Sequence, residues 1–386
     1  MPRFGPDSTT WCARRRVGLA PTLWCAWLAA PAAMPAGGCA PPATADPPAA
    51  EPAGAPAAPP NRRAGAVAAF GDTAVPRRPV HTFSIVARDP RTGDLGVAVQ
   101  SHWFSVGSVV TWAEAGVGAV ATQSFAEPAY GPRGLQLMAS GMSARAALDA
   151  LVSVDPARDV RQVAFVDARG EVAVHTGKAC IAEAGHVTGD GFSVQANMMG
   201  NDRVVPAMAR AFRRARGPLA ERLVAALEAG QAAGGDIRGR QSAALLVVRG
   251  EATGQPWRDR LVDLRVEDHP APVAELRRLL TVHRAYEHMN DGDAAMERKD
   301  MAAALRHYRA AAKLAPDNLE IVYWHAVALA SNGRLAQSLP LFRKVFAADA
   351  NWIELTRRLE RPGLLARDAI ETIVARAAGA GSAPAR

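Results

Sequence analysis

Cysteine is scarce in this 386-residue chain, and so is lysine. Three of the four cysteines (Cys12, Cys25, Cys39) fall within the first 39 residues, leaving Cys180 alone in the body of the chain. An internal disulfide framework is thereby excluded, and no cysteine pair has zinc-site spacing. HExxH is absent. His102, His175 and His186 stand singly, as packed or exposed histidines usually do, so neither a metal nor a cofactor is expected. Lys178, Lys299, Lys313 and Lys344 are the only lysines, and the remaining basic charge is arginine. No basic stripe interleaves with aromatics, which removes nucleic acid from the expected partners. The net charge of +8 falls to +5 if the four arginines and one aspartate before Cys39 are lost. Cys180, in "HTGKACIAEAG", reads as a small packed residue rather than a nucleophile.

What is present begins with a basic cluster, Arg14–Arg16, and an apolar stretch from Val17 to Ala33 that prolines interrupt. This is the layout of a secretory signal and too broken for a spanning helix. "AGGC" at Ala36–Cys39 has the form of a lipobox. Cys39 is either the lipidated N-terminus of an exported lipoprotein or a spare cysteine beside an ordinary cleavage site. Residues 40–79, mostly Ala and Pro, cannot bury a core and read as an extended tether.

Residues 80–270 read as one α+β domain. "HTFSIVARD" alternates with period two, "DPRTGD" is a turn, and "LGVAVQS" is the returning strand, giving a hairpin. "SVVTWAEAGVGAVATQS" continues as strand, Gly-rich bend and strand. Helical spacing follows in residues 131–155, with Ser143 placed to cap a helix. A hairpin turns at Asp167–Gly170, "GFSVQANMM" is a strand, and residues 202–229 are helical. Two further strands, "SAALLVV" and "LVDLRVED", end the domain. Paired strands, then helices, then strands again predict a layered sandwich and argue against a doubly wound sheet.

"GVGAVA" lacks the following helix of a dinucleotide loop, and "GGDIRGRQS" lacks the Lys-Ser/Thr of a phosphate loop. The second stretch nevertheless gathers Asp236, Arg238, Arg240, Gln241 and Ser242 where a buried run begins. Polar groups at a strand's mouth suggest a site; a loop held by its own ion pairs is the competing reading. Ser101 with His102, and Thr122 with Gln123, close other strands. Asn197 is either an amide donor to an oxyanion or a turn asparagine.

"HTFSIVARDPRTGDLGVAVQS", "GVGAVATQ", "YGPRGL", "RQVAFVDARG", "HTGKAC", "VQANMM", "GGDIRGRQSAALLVV" and "LVDLRVEDHPAPVAELRRLL" occur in this order. Over residues 81–284 the chain resembles the bacterial family known as domain of unknown function 1028, placed in the N-terminal-nucleophile (Ntn) hydrolase superfamily. The resemblance implies a four-layer αββα sandwich. It also singles out Thr82, because a threonine at a free N-terminus carries both a hydroxyl nucleophile and an amine that can take its proton. Typical family members begin Met-Thr-Phe-Ser, whereas His81 precedes Thr82 here. A peptide nitrogen is not basic, so the mechanism requires scission of His81–Thr82. Such scission would also sever the domain from an anchor at Cys39. Asp236 is the candidate for orienting Thr82. As a strand-end residue, Thr82 is expected to tolerate alanine at little cost.

From residue 293 a period of 34 residues relates Lys299 to Gly333, Ala304 to Ser338, Tyr308 to Phe342 and Pro316 to Ala350. That is the tetratricopeptide period. Residues 271–376 are therefore expected to form a helical module, with flanking helices over 271–287 and 351–376 and a loose tail at 377–386. The leading expectation is an Ntn-type amidohydrolase of the bacterial envelope, acting on a small or peptidic amide. Its candidate residues are Thr82, Asp236, Asn197, Ser101, Arg238, Gln241 and Ser242. The alternative is a non-catalytic binding or scaffold protein whose sandwich and repeats recognise partners, a second copy of the chain among them.

Overall fold

The computed structural model describes Val80 and residues 82–378. The expected signal, Cys39, the tether and the end of the tail lie outside the described residues. Among the described residues, no helix is long and apolar enough to cross a membrane.

The strands are β1 (Thr82–Arg88), β2 (Leu95–Ser101), β3 (Thr111–Glu114), β4 (Gly118–Ser124) and β5 (Arg161–Asp167), followed by β6 (Val172–Thr176), β7 (Gly185–Gly189), β8 (Phe192–Ala196), β9 (Ser242–Val248) and β10 (Arg260–Val266). The helices of the same region are α1 (Gly107–Val110), α2 (Tyr130–Ala139), α3 (Ala144–Val154), α4 (Val204–Arg214), α5 (Leu219–Ala232) and α6 (Pro256–Asp259). After them come α7 (Pro272–Glu297), α8 (Met301–Leu314), α9 (Leu319–Ser331), α10 (Leu335–Ala348), α11 (Asn351–Arg358) and α12 (Arg367–Ile373).

Two antiparallel sheets result, one of six strands in the order β10-β9-β2-β1-β8-β7 and one of four in the order β3-β4-β5-β6. Alternation along each strand assigns its two faces. Phe83, Ile85 and Ala98 meet Met208, Leu223 and Leu227 of α4 and α5. Val86, Val97 and Val99 turn the other way, onto Ala119, Ala121 and Val166 of the second sheet. The far face of that sheet, Val120, Val163 and Phe165, is covered by Leu135, Leu148 and Leu151 of α2 and α3. The layers therefore run helix, sheet, sheet, helix. Each buried Val, Leu, Ile, Phe or Met of these layers contributes about 1.5–3 kcal/mol.

Local signals hold in several places. The β1–β2 hairpin closes with Thr82 opposite Ser101 and Arg88 opposite Leu95. Ser143 caps α3 by accepting from the Ala146 backbone N–H. Other segments differ from expectation for physical reasons. "SVV", expected as strand, is the short helix α1, because the chain must leave the first sheet and cross to β3 in the second. Gly107 permits that crossing, since a Cβ there would lie 2.6 Å from the Ala244 methyl. The helix expected over 202–229 is two helices, divided at Gly217 (φ +97°) and Pro218.

Helix α7 runs on through "NDGD" to Glu297, past the expected end of the flanking helix at residue 287. Gly292 is buried against Tyr308, and a Cβ on it would sit 2.9 Å from that ring. Val273, Leu276 and Leu280 in the first half of α7 join the core beneath α5, although they lie beyond the expected boundary at residue 270. Ala285 and Met289 in its second half pack instead with Ala311 and Ile321. The expected last helix, 351–376, is broken between α11 and α12, where Pro362 and Gly363 (φ +73°) interrupt it.

Candidate functional site

All seven candidate residues gather at one end of the six-stranded sheet. Thr82, Ser101 and Ser242 are direct cross-strand partners on β1, β2 and β9 and form a row of hydroxyl-bearing residues. Their faces follow from their neighbours Val86, Val99 and Ala244, which point at the second sheet. Asn197 follows β8 at the same end, and its backbone N–H donates to the Thr82 carbonyl at 3.1 Å.

Thr82 is fully buried, which corrects the reading of a tolerant strand-end threonine. Its hydroxyl donates to the Val80 carbonyl, two residues upstream, at 2.9 Å. Val80 in turn bridges to Ser124 at the end of β4: its N–H donates to the Ser124 carbonyl at 2.5 Å and its carbonyl accepts from the Ser124 N–H at 2.9 Å. The uncut chain therefore enters from the second sheet and reaches the first at Thr82.

Beside Thr82 lies a network of neutral polar side chains of which the sequence singled out only Gln123 and Asn197. Ser84 and Gln195 pair across β1 and β8, and Gln123 and Gln162 pair across β4 and β5. Ser193 Oγ donates to Gln195 Oε1 (2.9 Å), Gln195 Nε2 to Ser84 Oγ (2.6 Å), and Ser84 Oγ to Gln123 Oε1 (2.6 Å). Gln123 Nε2 then donates to Gln162 Oε1 (2.7 Å) and to the Thr82 carbonyl (3.2 Å). Asn197 Nδ2 donates to Gln162 Oε1 at 2.9 Å, so that amide is engaged inside the network. Gln162 Nε2 closes it on the Ala196 carbonyl (2.9 Å) and Thr176 Oγ1 (3.0 Å). A fully satisfied buried network of this kind fixes the geometry of every member. For the glutamines not singled out, Gln162 and Gln195, the sequence sign was their place at buried-strand positions, in "RQVAFVD" and "FSVQAN".

Asp236 does not orient Thr82 through a hydrogen bond among the described residues. Its buried carboxylate accepts from Arg238 Nε (3.1 Å) and Nη2 (2.7 Å) and from the His102 backbone N–H (3.1 Å). The pair latches the α5–β9 loop onto the end of β2, as the ion-pair reading of that loop had it. Ser242 Oγ accepts from the Val106 N–H at 3.1 Å and donates to the Trp103 carbonyl. The Gln241 carbonyl accepts from the His269 N–H at 2.7 Å, which joins the loop to the chain beyond β10. Lys178 is exposed and pairs with Asp159 at 3.1 Å. The Cys180 thiol donates to the Arg161 carbonyl at 3.4 Å, and burial raises its pKa, which keeps it protonated. His175 bonds the Arg158 carbonyl (2.8 Å) and His186 bonds Thr176 Oγ1 (2.9 Å).

Residues 82–276 match a family of unknown function, DUF1028. The chain belongs to this family. The matched segment opens on Thr82 and includes the other six candidates and all the glutamines of the network. A crystal structure of a Silicibacter pomeroyi protein assigned to DUF1028 is 33% identical, over 52% of this chain and 88% of that one, with a TM-score of 0.47. No curated protein matches the chain.

Proposed function

We propose that this DUF1028 member is the latent form of an Ntn-type amidohydrolase of the bacterial envelope, with the layered sandwich an Ntn fold and Thr82 the nucleophile released by scission of His81–Thr82. The observation that carries the reading is the buried Thr82 hydroxyl, turned back at 2.9 Å onto the backbone that precedes it. The family segment also begins at this residue. Scission would proceed by attack of Thr82 Oγ on the residue-81 carbonyl carbon. The peptide nitrogen leaves as the Thr82 amine and an ester forms; water then hydrolyses the ester to a carboxylate and restores the hydroxyl. The freed amine titrates near neutrality and can take the hydroxyl proton when a substrate amide is attacked. Gln123 and Asn197, donating to the Thr82 carbonyl, hold the threonine in register during both events.

A second reading, a non-catalytic binding protein, is favoured by a different observation: Val80 is held to Ser124 by two backbone hydrogen bonds, and Asp236 is engaged by Arg238. Intact mass and N-terminal sequencing of the purified protein separate the two. The hydrolase reading expects a chain starting at residue 82 in wild type and in Thr82→Ser, and none in Thr82→Ala. A folded wild type that stays joined at His81–Thr82 refutes it and leaves the binding reading.

A further inference from the structure

Away from the sandwich site, α7 and α8 bring together three metal-ligand side chains that no sequence motif links. The hairpin's register sets this up. Gly292 lies directly against Tyr308, and the Tyr308 hydroxyl donates to Asp293 Oδ1 at 2.6 Å. His307, one residue before that tyrosine, is thereby brought opposite His288 and Asp291, which lie one turn apart on α7. The Nδ1 atoms of His288 and His307 face each other at 3.3 Å, and His307 Nδ1 lies 3.5 Å from Asp291 Oδ2. One ligand atom from each of the three falls within 4.8 Å of the other two.

We propose that His288, Asp291 and His307 form a binding site for a divalent transition ion of the zinc type. Ligands about 2.0–2.1 Å from a tetrahedral zinc stand about 3.3–3.4 Å apart, which is the edge seen between the two imidazoles. Two neutral rings presenting Nδ1 to each other have one hydrogen bond to share at most, whereas a cation accepts both lone pairs together with the carboxylate. Two imidazoles and one carboxylate suit zinc or its neighbours, and disfavour calcium and magnesium, which prefer all-oxygen sets. His288 and Asp291 also border a cleft of about 400 Å³, lined further by Pro218, Arg284, Glu287 and Asn290, from which water can supply a fourth ligand. Because the first half of α7 is built into the sandwich core, the ion would tie α8 to the sandwich through α7.

The test uses the full-length protein, stripped with a chelator and titrated with zinc chloride by calorimetry and with cobalt(II) by visible absorption. Wild type should bind an ion that the His288→Ala/His307→Ala double variant does not bind, and cobalt should show the intense bands of four-coordination only in wild type. Asp291→Asn, an isosteric change at an exposed carboxylate, should leave helicity intact and weaken zinc by about 10-fold or more, on the scale of changes near a metal. His186→Ala, a histidine in the sandwich, should leave binding unchanged. Equal zinc binding by wild type and the double variant overturns the proposal, as does unaltered affinity in Asp291→Asn. Uptake confined to the thiols of residues 1–39 would appear as the first of these outcomes.

Discussion

His325 on α9 offers a direct reading of how burial governs the helical region. Its ring stacks on Tyr308 with centroids 5.1 Å apart, and its Nε2 is buried without a hydrogen-bond partner among the described residues. Burial, with a smaller push from Arg309, moves the imidazole down to about 4 from its usual 6.5. The unfolded chain therefore binds the proton more readily than the folded one between those two values. Stability contributed by neutral His325 is fully present above pH 6.5 and is lost as pH falls toward 4. A shift of that size corresponds to about 2 kcal/mol between pH 8 and pH 5. The ring is only half-buried, so screening by solvent reduces the expected loss to about 1 kcal/mol. His325→Phe keeps a flat ring against Tyr308 and removes the titration. Backbone hydrogen exchange in α8 and α9, measured at pH 8 and pH 5, should show a greater acid-induced loss of protection in wild type than in His325→Phe. Comparing the two chains cancels other groups, such as His283, whose pKa the Glu287 carboxylate 3.6 Å away raises and whose contribution runs the opposite way. Identical pH dependence in both chains would refute the reasoning.

A chain ending at residue 287 should retain a cooperatively melting sandwich, whereas one ending at 270 should not; losing Val273, Leu276 and Leu280 removes about 6 kcal/mol of burial, comparable with a whole domain's stability, and thermal melts by circular dichroism decide it. Gln162→Leu should lower stability by about 3 kcal/mol or more in urea unfolding, because Gln123, Asn197 and the Ala196 carbonyl all lose a buried partner; a neutral result would mean the network is not continuous in solution. Gly292→Ala gains about 1 kcal/mol of helix propensity yet forces a methyl to 2.9 Å from Tyr308, so α7–α8 should lose about 1–3 kcal/mol, visible as faster hydrogen exchange in α8.

Patterns that span only a few residues are legible in the amino-acid sequence by itself. Period-two alternation and the turn at Asp89–Asp94 place the β1–β2 hairpin, and Ser143 marks the start of α3. A 34-residue period marks the C-terminal region as helical. Polar residues at strand ends are likewise legible, because a strand's termination is itself a local event, and several of them share one end of the six-stranded sheet. Tertiary structure decided which of those residues meet. Ser84, Gln123, Gln162 and Gln195 sit at positions that alternation assigns simply to an inward face, and only the stacking of two sheets turns that face into a hydrogen-bonded network. Asp236 chose Arg238 and the His102 backbone over Thr82 because the α5–β9 loop folds onto the end of β2. Gly292 is a contact with Tyr308, and it brings His288, Asp291 and His307 to one side of a helical hairpin. The physical reason is common to all of these: propensity and periodicity act along the chain, whereas polar satisfaction, proton affinity and metal ligation depend on which distant segments approach within a few ångströms.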